Sequence, residues 1–510
     1  MGEITKFADV ERTTPSESIA EGKVTGVADE RARQLAQLPD PDEGKSDEER
    51  AEIDRKLVRK IDLWLIPWLS LLYLLSFLDR TNIGNARLAG LEPDLNMTGA
   101  NYNMALSIFF ISYAAFEPTT NALLKSVTPR VFFTAIVVIW GTIMTLMGLV
   151  TNYHGLLAAR FFLGIAEAGL FPGVSYYLSY WYKSSEVGLR IAVFFSAAAL
   201  AGSFGGLLAA AIAKMDGIGG KAGWAWIFIL EGAVTVFFGL LCWRMVFNWP
   251  ATARFLSEED RIRVQRRIIS DRQGATADHF DRRHIWAALR DWQSYGYMCL
   301  NAGSLTPIYA FSLFLPTILR GMGHQGTTAQ LLSVPPYALA SMTTVAVGYI
   351  ADRTRQRGLM SMICAVVGMT GFAMMLGSNT PSVKYVGTFL GAAGVYPTCP
   401  NTLSWTVNNT EGPIKRGIVV GLVVGWANLN GIVASNIYLV REAPRFWTGH
   451  GVVLGYQFFF LFCASAVMHI CLKTTNKRRR EGKMDAQWEA MSQDERYIAG
   501  DKRPDFVYVT

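Results

Sequence analysis

Of 510 residues, 51% are hydrophobic and only 17% are charged, so a soluble multidomain protein would have to bury more apolar surface than such a chain can hide; the composition defines an integral membrane protein. The net charge of +7 does not point to nucleic acid, because the arginines sit between apolar runs, where they read as loop residues flanking membrane spans. Six cysteines (Cys242, Cys299, Cys364, Cys399, Cys463, Cys471) lie singly in apolar runs and read as packing residues, with no redox role and no cofactor expected.

In chain order, the first fifty residues are polar and rich in Glu, Asp, Ser and Gly, which reads as a disordered tail without a signal peptide and places the N-terminus in the cytosol. Ser46-Asp47-Glu48-Glu49 has the form of a capping box, and Ile53, Leu57 and Ile61 follow at helical spacing. An amphipathic helix is therefore expected to run into the first span. A span needs ~20 largely apolar residues to cross ~30 Å of hydrocarbon. Stretches near 62–84, 103–124, 131–151, 154–182, 189–213 and 224–247 qualify, as do those near 293–319, 328–350, 359–377, 383–406, 416–439 and 451–473. The interval between the two sets is crowded with arginine (Arg254, Arg261, Arg263, Arg266, Arg267), and basic residues recur at Arg353, Arg355 and Arg357, at Lys415 and Arg416, and from Lys477 to Arg480. Positive residues mark cytosolic loops, so both termini fall inside. The expected organisation is an all-α membrane protein with 12 transmembrane helices: a tail over 1–60, a six-helix bundle over 61–247, a cytosolic linker over 248–292, a second bundle over 293–473 and a cytosolic tail over 474–510. Within the linker, Ser257-Glu258-Glu259-Asp260 resembles a helix start.

The first apolar stretch carries Asp79 and Arg80 side by side, where a charge near the bilayer centre costs at least ~2.5–3.5 kcal/mol. The fourth carries Arg160 and Glu167, about two turns and ~10.5 Å of helix rise apart, hence on nearly one face. Asp79 and Arg80 point about 100° apart, so at most one of them faces the centre squarely. Either these four residues form a structural salt-bridge network or they line a wet cavity on a pathway, which is what intramembrane charge usually marks. Their charges sum to zero when ionised. A bound carboxylate would leave an occluded site at minus one, and a proton on Asp79 or Glu167 would restore neutrality, so proton and anion would bind cooperatively. In the second half, Asn428, Asn430 and Asn436 recur along the eleventh stretch, as substrate contacts or as helix bridges. Tyr309, Tyr396 and Trp405 are either stacking surfaces for a ring-bearing anion or packing aromatics. His154, His324 and His450 stand apart from any ligand cluster, so no metal is expected.

Two sets of six spans suggest a secondary transporter with a midplane site. Gly348-Tyr349-Ile350-Ala351-Asp352-Arg353-Thr354-Arg355-Gln356-Arg357-Gly358 resembles the loop signature of the major facilitator superfamily, a resemblance that implies a gating role for Gly348, Asp352, Arg353 and Arg357. The first-half counterpart, 121–130, keeps basic residues but lacks the Asp-Arg core. More narrowly, four stretches resemble the fungal allantoate permease branch of the anion:cation symporters: Leu78 to Ala86; Arg160 to Glu167 with Pro172-Gly173; Phe314-Leu315-Pro316-Thr317-Ile318; and Trp405-Thr406-Val407-Asn408-Asn409 with Lys415-Arg416-Gly417. The resemblance covers about residues 55 to 510. It implies the major facilitator fold and proton-driven import of a small organic anion, nicotinate, allantoate, pantothenate and biotin being substrates within the branch. On that basis Arg80 would hold the substrate carboxylate, Arg160 would position Glu167, and Asp79 and Glu167 would exchange protons, in a monomer at the plasma membrane. A carboxylate exporter, an organellar carrier and a non-transporting nutrient sensor are the alternatives. An enzyme is not expected, because no nucleophile with its base and no ligand cluster appears in the spans.

Overall fold

The computed structural model describes residues 35, 37–271, 282–324, 326–411, 413–492, 500–504 and 506–510; the expectation for the first 34 residues lies outside them. Among the described residues, every regular element is helical. The first six spans are α1 (Asp47–Leu88), α2 (Gly99–Ser126), α3 (Pro129–Met147), α4 (Tyr153–Leu178), α5 (Ser184–Ile212) and α6 (Gly223–Met245). The second six are α7 (Trp292–Gly321), α8 (Val334–Thr354), α9 (Arg357–Gly377), α10 (Pro381–Val395 continued by Thr398–Asn409), α11 (Pro413–Asn436) and α12 (Trp447–Arg480). Ten of these are by themselves long and apolar enough to cross a membrane, and α2 and α10 complete the two bundles of six. Large apolar side chains such as Leu63, Trp64, Phe237, Leu240, Met342, Phe459 and Ile470 stand outward, a surface that suits lipid rather than water.

Three spans depart from the expected uninterrupted helix. α4 breaks at Ala168-Gly169, α10 breaks at Tyr396-Pro397, and α12 carries a π-helical stretch over Tyr456–Cys463. At its start α1 has the expected capping box, with the Ser46 hydroxyl accepting from the Glu49 amide and the Ser46 amide donating to the Glu49 carboxylate at 2.9 Å. Its 42 residues run ~63 Å, twice the hydrocarbon thickness, so its first turns project beyond the bundle. There they are tied to the expected linker helix, Glu258–Asp271, and to α5: Lys60 pairs with Asp260 (2.9 Å), Arg190 with Asp62 (2.7 Å), and Arg267 with both Asp54 (3.0 Å) and Glu186 (2.6 Å). This is the linker end of the molecule.

At the same end, the segment 506–510 is bound to the second bundle. Val509 exchanges two hydrogen bonds with the Asn409 side chain (2.8 Å each), and its carbonyl also accepts from Trp405 Nε1 (2.7 Å). The Lys415 ammonium lies buried between Asp291 (2.8 Å) and Asp501 (2.6 Å). Lys415→Ala would leave two facing buried carboxylates, and breaking such a pair costs about 3–5 kcal/mol. The expected result is a lowered thermal unfolding midpoint in detergent, recovered in part when Asp291→Asn and Asp501→Asn are added.

The halves meet along two seams, α5 against α8 and α2 against α11, with α1 against α7 between them. The α5–α8 seam runs the full length: at the linker end Gly348 faces Ala192, near the middle Gly202 faces Tyr337, and farther on Ser203 donates to the Val334 carbonyl at 3.0 Å. The α2–α11 seam is shorter. Asn436 donates to Ser107 (2.8 Å), Phe110 lies on Gly431, and Asn428 reaches Glu117 (3.1 Å), whereas a Cβ on Gly417, Gly421 or Gly425 would meet nothing within 4 Å among the described residues.

Candidate functional site

Midway along the bundle a single run of hydrogen bonds links five spans. Arg80 on α1 donates through Nη2 to Glu167 Oε2 on α4 (3.0 Å) and through Nη1 to the Tyr309 hydroxyl on α7 (3.3 Å). Tyr309 donates to Asn428 Oδ1 on α11 (2.7 Å), and Asn428 Nδ2 donates to Glu117 Oε2 on α2 (3.1 Å). Ser76 adds a donor to Glu167 at 3.2 Å. The Arg80–Glu167 pair is closed off from solvent, Glu167 being 0% exposed. Aromatic rings surround the guanidinium, with the Phe109 and Tyr113 centroids each 5.1 Å from its carbon. A cation over such faces gains from their quadrupoles, which offsets part of its desolvation.

Asp79 does not join this run. It accepts from Trp140 Nε1 on α3 (3.1 Å) and Thr235 on α6 (3.0 Å), inside the first bundle. The ~100° turn between adjacent helical positions sends Arg80 to the centre and its neighbour away from it. Beside Asp79, Asn82 donates to Glu231 of α6. One oxygen each of Asp79 and Glu231 is buried without a hydrogen-bond partner.

Arg160 is not the partner of Glu167. It is 1% exposed, two of its guanidinium nitrogens lack hydrogen-bond partners, and the Phe109 ring centroid lies 6.0 Å away. A shared helix face does not bring the two together, because two turns of rise separate them while Arg80 reaches Glu167 from the next helix. The expectation of four charges in one chamber is thus replaced by a central pair, Arg80 and Glu167, with Asp79 and Arg160 set apart.

Among the aromatic and amide candidates, Tyr309 and Asn428 lie in the central run. Asn430 accepts from Tyr456 of α12 (2.9 Å) and donates to the Trp426 carbonyl, so it bridges helices within the second bundle. Tyr396 bonds Ser312 of α7 (2.6 Å) and stands edge-on to Tyr337, while Trp405 belongs to the linker end. Across the turn from α8 to α9, Asp352 pairs with Arg357, and Asn401 Nδ2 of α10 donates to the Arg357 carbonyl (2.8 Å). Gly348 and Gly188 sit where α8 and the Asp352–Arg357 pair crowd α5, so a side chain at Gly348 would strike Ala192 and one at Gly188 would strike Asp352 and Arg357. Arg353 bonds Tyr349 among the described residues and is exposed.

Glu117 and Glu231 were missed in reading the sequence. Each is a lone acid inside an apolar run, the same signal that singles out Asp79. With them, the buried acids of the first bundle are Asp79, Glu117, Glu167 and Glu231 against the buried bases Arg80, Arg87 and Arg160, of which Arg87 is paired with Glu92 at 2.8 Å, and the balanced quartet no longer holds.

Two six-helix halves around a buried ionic centre define a multi-span solute carrier rather than an enzyme. The family model for the Major Facilitator Superfamily matches residues 69–435, and the chain belongs to that superfamily and is a transporter of its type. It is 36% identical over 441 residues to the MFS-type transporter cnsO of Penicillium expansum, covering 83% of this chain and 85% of that protein. It is 28% identical over 463 residues to the high-affinity nicotinic acid transporter of Saccharomyces cerevisiae, covering 90% and 85%. Among solved structures, a bacterial homologue of the human lysosomal transporter Spinster superposes with a TM-score of 0.58 at 15% identity, over 79% of this chain and 95% of that one.

Proposed function

We propose that this protein is a proton-coupled symporter of the allantoate permease type that imports a small organic anion, a monocarboxylate of the nicotinate kind, across the plasma membrane by alternating access. The observation that carries the reading is the buried Arg80–Glu167 pair, joined through Tyr309 and Asn428 to the second half. An entering carboxylate competes with Glu167 for the Arg80 fork. The displaced Glu167 takes a proton, because an unpaired buried carboxylate is costly. Tyr309 and Asn428 exchange their mutual bond for bonds to the guest, so occupancy is felt in both halves at once. Asp79, held by Trp140 and Thr235 next to Glu231 and Asn82, serves as the second proton station. With four buried acids to two buried bases besides the Arg87–Glu92 pair, neutrality already requires two protons in the first bundle before a guest arrives, which the adjoining Asp79 and Glu231 hold while Glu117 stays ionised, and each added anion requires another. The bundles over 61–247 and 293–473 rock against one another as a monomer, the linker end faces the cytosol, and the Asp352–Arg357 pair closes that end.

In proteoliposomes with an acidic exterior, one pH unit is expected to raise accumulation of labelled nicotinate about tenfold per coupled proton. Glu167→Gln is expected to flatten that pH response while nicotinate exchange in the absence of a gradient persists. Pyranine trapped inside reports the proton directly. If Asp79→Asn and Glu167→Gln both retain gradient-driven accumulation, the proton assignment is wrong.

A further inference from the structure

The central run of hydrogen bonds has a direction. Every donor points the same way: Arg80 N–H to the Tyr309 oxygen, Tyr309 O–H to Asn428 Oδ1, Asn428 N–H to Glu117 Oε2. It begins at a cation that only donates and ends at a carboxyl group. Such one-way chains polarise each of their links. Glu117 is 3% exposed, and no Lys, Arg or His lies within ion-pairing distance of it among the described residues. Its second oxygen, Oε1, is buried without a hydrogen-bond partner. The site therefore has two unlike poles on opposite sides of the Tyr309–Asn428 link.

We propose that Glu117 is a specificity-determining residue, the acceptor pole of the central site, which selects acids that carry an N–H donor across the molecule from their carboxylate, nicotinate meeting this as the zwitterion with its proton on the ring nitrogen. This rests on the reading in which Arg80 takes the carboxylate. A guest that interrupts the run must offer an acceptor to Arg80 and, to replace Asn428, a donor to Glu117. An acid with only hydrocarbon or an ether oxygen at its far side leaves the buried Glu117 bare. A site built to bond a polar group of its substrate discriminates strongly against analogues lacking it, because its own groups are then left unpaired. An N–H offered to a carboxylate forms the stronger, charge-assisted kind of bond.

Pyrrole-3-carboxylate and furan-3-carboxylate test this. The two are planar and nearly isosteric, and differ in presenting N–H or oxygen at one ring position. With the full chain in nanodiscs, pyrrole-3-carboxylate is expected to bind about ten- to a hundredfold more tightly, the equivalent of one charge-assisted bond. Glu117→Gln is expected to reduce that ratio to within about threefold, and Glu117→Asp, which keeps the charge on a shorter stem, to retain part of it. Equal binding of the two acids by the unmodified protein, with both affinities lowered by Arg80→Lys, overturns the role of Glu117 and leaves the role of Arg80 standing. A preference that Glu117→Gln and Glu117→Asp leave intact also overturns it, reducing Glu117 to a tie between α2 and α11. Absence of Arg80-dependent binding for either acid sinks the anion reading itself, and this inference with it.

Discussion

Arg80→Ala is expected to lower carboxylate uptake by about 10²–10⁴-fold, the equivalent of the 3–5 kcal/mol lost when one partner of a buried pair is removed. The residue joins Glu167 at 3.0 Å to Tyr309 at 3.3 Å from two nitrogens of one planar fork. Its loss strands Glu167, which keeps only Ser76 as a hydrogen-bond donor. Arg80→Lys separates charge from geometry: a single ammonium restores the charge but not the two-pronged reach. Its expected loss is about ten- to a hundredfold, corresponding to one charge-assisted bond. Uptake initial rates per folded molecule, with folding checked by monodispersity and thermal midpoint, make the comparison. Uptake by Arg80→Lys equal to that of the unmodified protein would remove the fork from the account. Arg160→Lys, altering an arginine outside the central run, is the contrasting measurement.

Gly371→Val is expected to abolish recoverable folded protein. α9 and α10 meet backbone to backbone: a Cβ on Gly371 would land on the Gly391 amide and lie 2.6 Å from the Gly387 carbonyl oxygen, and one on Gly394 would land on the Gly368 amide and lie 2.6 Å from that of Cys364. Backbone atoms of two packed helices have no rotamer through which to yield, so the helices must separate. Overpacking costs of ~1–3 kcal/mol describe cores that can adjust, and this contact belongs above that range. Against a net stability of about 5–15 kcal/mol, most of the margin is lost. Gly377→Ala, at the end of α9 where a Cβ would meet nothing within 4 Å, is expected to behave as the unmodified chain. Size-exclusion profiles of the two variants decide the matter.

The spans were legible because hydrocarbon imposes a length and a polarity that single stretches must meet on their own. The capping box at Ser46 and the linker helix after Ser257 were legible for the same reason, being local. The breaks in α4 and α10 were not, since Gly169 and Pro397 lie in runs whose hydropathy does not falter. At the site, solitary charges announced Asp79, Arg80, Arg160 and Glu167 as buried groups, but which acid meets which base is a matter of helix packing that spacing within one helix cannot convey. Arg160 shows this best: it shares a face with Glu167 and does not touch it. Glu117 carried the same cue as Asp79 and was overlooked. Trp405 stood out as an aromatic, Lys415 as a loop base and Asn409 by resemblance, and only the folded chain reveals that they grip Asp501 and Val509.

The two seams between the halves are unequal. α5 and α8 are in contact from Gly348 and Ala192 to Ser203 and Val334, whereas among the described residues the side-chain bonds between α2 and α11 run from Asn436 to Asn428, and nothing lies within 4 Å of a Cβ placed on glycines 417, 421 and 425. A door hung this way has its jamb along α5 and its free edge along α11. In the rocking motion proposed above, the α5 flank would carry the pivot and the glycine-bearing stretch of α11 would travel farthest, so that opening at the linker end would be lopsided rather than axial.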